Sequence, residues 1–180
     1  YKAIAPDIAF IRATTCDSEG YATFEDEVMY LDALVIAQAV HNNGGIVMMQ
    51  VQKMVKKATL HPKSVRIPGY LVDIVVVDPD QSQLYGGAPV NRFISGDFTL
   101  DDSIKLSLPL NQRKLVARRA LFEMRKGAVG NVGVGIADGI GLVAREEGCA
   151  DDFILTVETG PIGGITSQGI AFGANVNTRA

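Results

Sequence analysis

An α/β fold built on a parallel sheet is what this sequence predicts, and three observations carry that expectation. Short β-branched runs alternate with helical patterns, so strand, helix and strand follow one another twice along the chain. Polar or glycine-rich turns punctuate those runs, as at 41–45 and 133–139. Successive strands are separated by crossovers long enough for parallel pairing, which a tight hairpin could not provide.

Taken in order, Asp7 to Ala13 reads as a buried strand, closed by the polar turn Asp17, Ser18, Glu19 and Gly20. Thr23 with Asp26 three positions later resembles a capping box, and Glu25, Asp26 and Glu27 suit the positive end of a helix dipole. A helix is therefore expected there, apolar almost all round from Val28 to Val40 and buried on more than one face. His41-Asn42-Asn43-Gly44-Gly45 stops it, and Gly45 to Val51 is a second buried strand whose Met48-Met49 pair fills core. Between Lys53 and Tyr70 the chain is basic and broken by Pro62, Pro68 and Gly69, with His61 as a turn residue. Leu71 to Val77 is a third strand, and 81–102 an irregular excursion.

A composition boundary falls near 107/108 and divides the chain into domains 1–107 and 108–180. Asn111 caps a helix running to Lys126, with Gly127 as its stop. The cluster Arg113, Lys114, Arg118 and Arg119 reads as that helix's solvated face. Asn131 to Gly135 is a glycine-bearing strand end, Ile140 to Glu147 a short helix stopped by Gly148, and Phe153 to Val157 the next strand.

Glu158 follows that strand and is itself followed by Thr159-Gly160-Pro161-Ile162-Gly163-Gly164. In open α/β sheets ligands bind beyond the carboxyl ends of strands. Glycines there expose main-chain amides to a ligand. A plainer alternative has Glu158 capping the strand by accepting hydrogen bonds from the turn amides. A third reading takes Gly133, Gly135 and Gly139 as a dinucleotide-binding turn with Glu158 on a ribose, in an oxidoreductase. Its third glycine is one place late, and Asp138 would set a negative charge near a pyrophosphate.

Bulk properties exclude other classes. The 180 residues carry a net charge of −3 with 47% hydrophobic residues, a balance unsuited to a general nucleic-acid surface. No apolar run is long enough to span a bilayer. Cys16 and Cys149 stand alone, with neither a pairing pattern nor metal-ligand spacing, which suggests a reducing, cytoplasmic setting and no metal.

The segment Val157 to Gly164 resembles the E-x-G nucleophile motif of the family I CoA-transferases, specifically the single-chain acetate and propionate group. The likeness extends through Ile11 to Thr14, Leu31 to Leu34, Ala37 to Asn42 and Ile67 to Asp73, which are similar to the latter part of that family's first domain. Asn131 to Ile136 and Phe172 to Asn177 are similar to the start of its second. The resemblance implies Rossmann-like (NagB/RpiA-like) domains and transfer of CoA between a short-chain acyl-CoA and a carboxylic acid. It implies a ping-pong route through a glutamyl-CoA thioester on Glu158, with no cofactor beyond CoA as substrate and no metal. Backbone amides at Gly133, Val134, Gly135, Gly160, Gly163 and Gly164 become candidate oxyanion or CoA donors, and a homo-oligomer is expected. The family's first glycine-rich loop and its later G-x-G-G-F segment fall outside these 180 residues, so the stretch alone is expected to be inactive. Ala137 stands where relatives often carry proline. A non-catalytic CoA-binding segment remains the third class of function.

Overall fold

The computed structural model describes residues 2–85, 87, 89–101 and 103–179. It divides into two compact units, one running to Gln83 with Gly87–Val90, the other comprising Leu84–Gly86 and Asn91 onward. This division lies upstream of the composition boundary at 107/108. Leu100 and Leu106 pack on the second core, and the side chain of Asn177 grips the Leu100 main chain at both its N–H (2.7 Å) and its carbonyl (3.0 Å). Asp102, the end of the expected excursion, lies outside the described residues.

In the first unit β1 (Ile8–Asp17), β3 (Ile46–Val55) and β4 (Ile74–Val77) pair in parallel, and β2 (Ala22–Thr23) is antiparallel to β1, giving the order β2-β1-β3-β4. The helix α1 (Ala33–Asn42) is the crossover between β1 and β3. Ala9, Ile11 and Ala13 of β1 and Val47, Met49 and Val51 of β3 face α1 residues Ala37 and Val40 across one core. Alternate positions point away, so Phe10 is 80% exposed and the first half of β1 is buried on one face, whereas from Ala13 to Asp17 both faces are buried.

The helix expected from Thr23 begins ten residues later, at Ala33. Tertiary pairing overrides the local capping pattern. Thr23 is drawn into the sheet opposite Thr15, and the three acids that suited a helix dipole are taken by distant partners. Glu25 accepts from the Thr15 hydroxyl, the Asp26 amide donates to Thr14 Oγ1 at 2.9 Å, and Glu27 pairs with Arg12 at 2.7 Å. Burial pushes the Glu27 carboxyl above the usual range, against the opposing pull of the Arg12 guanidinium. Arg12 also donates to the carbonyls of Ser82 (2.7 Å) and Gln83 (2.6 Å), anchoring the chain as it leaves the sheet. The all-round burial expected of the helix is absent too, since Leu34, Val35 and Ile36 are exposed. The third strand is shortened because Gly69–Leu71 forms a 3-10 turn. His61 does serve as a turn residue, its ring accepting from the Lys63 amide at 3.2 Å.

The second unit holds α2 (Gln112–Leu121), β5 (Val129–Val132), α3 (Ile140–Glu146) and β6 (Ile154–Val157). Asn111 caps α2 by accepting from the Lys114 amide at 3.1 Å. Gly148 takes positive φ at the expected stop of α3, but α2 ends at Leu121 rather than at Lys126, so Gly127, also at positive φ, lies in the turn before β5. The basic cluster of α2 is bound rather than merely solvated. Arg113 pairs with Asp138, Lys114 with Glu146, Arg118 with Glu147 and Arg119 with Glu123. Among the described residues no helix is long and apolar enough to cross a membrane.

Both cysteines are free thiols. Burial raises the Cys16 thiol to about 11, and burial also raises that of Cys149, which is less enclosed. Because the thiolate is the reactive form, iodoacetamide at pH 8 should alkylate Cys149 first and spare Cys16 until the chain unfolds. Peptide masses over a labelling time course check this, and equal rates at the two thiols would contradict the burial assigned to Cys16.

Candidate active site

The site begins with two parallel neighbours. Strands β5 and β6 pair with Val132 opposite Val157, so Gly133 and Glu158 leave the sheet side by side at its carboxyl edge. Adjacent strands lie about 4.8 Å apart, which brings the 133–135 turn and the 158 turn into one neighbourhood.

Strand β6 then doubles back. The Gly160 amide donates to the Val157 carbonyl at 3.0 Å, and the Val157 amide donates to Pro161 at 3.1 Å. Val157 and Pro161 are buried while Glu158 at the tip is exposed. Gly160 supplies the φ of +122° that the return requires. Thr159 Oγ1 donates to the Gly173 carbonyl at 3.3 Å, tying the tip to the 172–173 segment. This turn closes without the Glu158 carboxylate: among the described residues no hydrogen bond or ion pair reaches that side chain. A carboxylate whose only task was to cap the strand would accept from the turn amides, and here the Val157 carbonyl does so instead.

The hairpin also sorts the glycines. Gly163 donates its amide to the Leu155 carbonyl at 2.7 Å, beside the middle of β6 rather than its end. Leu155 lies three residues before Glu158, about 10 Å back at the usual rise of a strand. Gly164 has φ +77°, and a Cβ there would sit 2.3 Å from the Val176 carbonyl oxygen, so it is glycine for close packing. Gly160 and Gly163 thus spend their amides inside the hairpin. The amides of Val134 and Gly135 take no main-chain carbonyl among the described residues, and Gly135 has φ +113°. Gly139, the third glycine of the dinucleotide pattern, packs under α2, where a Cβ would meet Leu108 Cδ1 at 2.8 Å and Ala117 Cβ at 3.3 Å.

A cleft of ≈ 210 Å³ lies elsewhere in this unit, lined by Gly141, Phe153, Leu155, Ile165 and Arg179 among others, and does not include Glu158. Among the described residues no three His, Cys, Asp or Glu side chains come together as a metal site would need.

A family model described as Coenzyme A transferase matches residues 1–78. Along all 180 residues the chain is 99% identical to the acetate CoA-transferase YdiF of Escherichia coli O157:H7, covering 34% of that relative. The chain is therefore similar to coenzyme A transferases, through the family model over residues 1–78 and through this relative along its whole length. The chain is also 40% identical over 182 residues to the caffeate CoA-transferase of Acetobacterium woodii, covering all of itself and 35% of the relative. A crystal structure of the E. coli O157:H7 acyl-CoA transferase YdiF as a thioester complex with CoA superposes with a TM-score of 0.87. That match covers 100% of this chain and 34% of the other, at 92% identity. The chain therefore spans about a third of the length of the curated relatives it matches.

Sequence reasoning brought Glu158, Gly133, Val134 and Gly135 together at one sheet edge and missed the groups that support them. Asn175 is buried and donates to the Gly163 carbonyl at 3.1 Å, holding the hairpin's returning limb. Its place in Phe172 to Asn177 was visible only as part of a resembling segment. Arg113 donates to the Gly135 carbonyl at 2.8 Å across a separation of 22 residues, and no local pattern signals that bond.

Proposed function

We propose that this chain forms part of a transferase that moves CoA between a short-chain acyl-CoA and a carboxylic acid by ping-pong catalysis through Glu158. The observation that carries the proposal is the exposed, unpartnered Glu158 carboxylate, held at a turn that closes without it and set beside the 133–135 main chain. The family and the acetate and caffeate transferases among its relatives support the same reaction class.

In this reading the Glu158 carboxylate attacks the thioester carbonyl and expels the CoA thiolate, leaving a mixed anhydride. The thiolate then attacks the glutamyl carbonyl, forming the glutamyl-CoA thioester and releasing the donor's acid. An acceptor carboxylate repeats both steps in reverse, so no net oxidation, metal or further cofactor is required. A carboxylate is a weak nucleophile, and the rate must come from positioning, from binding energy along the remote part of CoA, and from amides aimed at the developing oxyanion. The free amides of Val134 and Gly135 suit that last task better than those of Gly160 and Gly163, which are already donated. Val134 and Ile136, exposed at 66% and 51%, offer the acyl chain an apolar wall. We assign residues 1–107 to the latter part of a first transferase domain and 108–180 to the start of a second, in a cytoplasmic homo-oligomer.

The test is the intact mass of the longer protein after incubation with acetyl-CoA. The expected gain is one CoA less one water. A mass unchanged over a time course in which CoA exchange proceeds would exclude a covalent route.

A further inference from the structure

The Arg113–Asp138 pair lies directly beneath the loop that carries the proposed oxyanion donors. Asp138 is wholly buried, and its carboxylate turns onto Arg113 rather than toward the loop's outer side. The same guanidinium nitrogen, Nη2, donates to the Gly135 carbonyl at 2.8 Å, so one atom joins the buried charge to the loop's main chain. Gln168 Nε2 approaches the same carboxylate oxygen at 3.4 Å. Stability alone does not account for this arrangement. Among the described residues, Arg113 Nε and Asp138 Oδ2 are both buried without a hydrogen-bond partner. Such atoms are costly, and an apolar pair of similar volume is often at least as stabilising as a buried ion pair.

Gly135 has φ +113° and ψ −132°, a conformation reserved for glycine and lying outside any regular ladder. The grip on its carbonyl is what fixes that peptide. Because a trans peptide is planar, holding the Gly135 carbonyl toward α2 directs the Ile136 N–H the opposite way. The amides of Val134, Gly135 and Ile136 all lack main-chain acceptors among the described residues.

We infer that Arg113, held by the buried Asp138, is a positioning residue for the transfer reaction. It fixes the orientation of the 134–136 amides beside Glu158, and its charge offsets a carboxylate that would otherwise oppose an oxyanion there. This inference rests on the transferase reading and deepens it.

The experiment compares the longer protein as wild type, Arg113→Met, Arg113→Lys and the double variant Arg113→Met/Asp138→Asn. Arg113→Met should lower kcat by about 10²-fold, the cost of a misplaced or lost oxyanion donor, while KM for acyl-CoA stays within about threefold. Arg113→Lys, keeping the charge and a donor, should recover part of that loss. The double variant removes the lone buried carboxylate, so it should regain the thermal stability lost in Arg113→Met without regaining kcat. Recovery of kcat together with stability in the double variant would assign the pair to folding alone and overturn the inference. So would collapse of all three variants, and where only Arg113→Met fails to fold the double variant decides. The wild-type protein's CoA adduct is the separate control, since its absence refutes the transferase reading and leaves a different fault from an unaltered kcat in the Arg113 variants.

Discussion

Glu158→Gln in the longer protein is expected to abolish turnover, by about 10⁴-fold or more, as loss of an enzyme's nucleophile does. The amide keeps the side chain's size and its acceptor oxygen but cannot attack a thioester. Glu158→Asp should be nearly as damaging although it keeps the charge. Reacting atoms must come within about 3–3.5 Å, and a misplacement of about 1 Å costs ~10²-fold. Asp withdraws the carboxylate by one methylene from a tip whose backbone cannot follow, because the Val157–Gly160 and Val157–Pro161 bonds fix it and Thr159 ties it to Gly173. Both variants should still bind CoA, since most binding energy comes from parts of the ligand remote from the reacting carbonyl. Steady-state rates set against calorimetric CoA affinities check this. Near-normal turnover in either variant would remove Glu158 from the chemistry.

Gly69→Ala is expected to be the most destabilising small substitution in the first unit. An added Cβ would lie 2.0 Å from the Glu19 carbonyl oxygen and 2.9 Å from its carbon. That neighbour is main chain in the turn after β1, where Gly20 in turn packs on the Gly69 Cα with φ +87°. Neither side can yield by a rotamer change, so the two segments must separate, at a cost of about 3 kcal/mol by analogy with overpacked cores. Gly44→Ala provides the contrast. Gly44 has φ +74° with open space around it, leaving only the left-handed backbone penalty of about 1 kcal/mol. Thermal unfolding of the two variants should rank Gly69→Ala well below Gly44→Ala, and a reversed order would contradict the close crossing of the two turns.

Local signals were legible wherever a neighbour in sequence is also the neighbour in space. Asn111 caps α2 through its own third residue, Gly148 ends α3, and the β5–α3–β6 order follows from alternation of apolar runs and glycine stops. The carboxyl-edge position of Glu158 was legible for the same reason. What the sequence concealed depends on distant partners. Thr23 looks like a helix cap until Thr15, eight residues earlier, takes it into the sheet. Gly163 and Gly164 look like ligand-facing glycines because they follow Glu158. The hairpin carries them back along β6, where they let the 163–165 and 176–179 segments pass. Asp138 reads as an obstacle to any anion until Arg113, 25 residues away, is seen to neutralise it.

The most direct test of the account is the mass of the peptide containing Glu158 after the longer protein has been incubated with acetyl-CoA and treated with borohydride. Reduction of a glutamyl-CoA thioester should convert Glu158 to the corresponding alcohol, a side chain lighter by one oxygen and heavier by two hydrogens, and only when acyl-CoA was present. The same change on a peptide from elsewhere in the protein, with the Glu158 peptide unaltered, would contradict the assignment of Glu158 as the nucleophile.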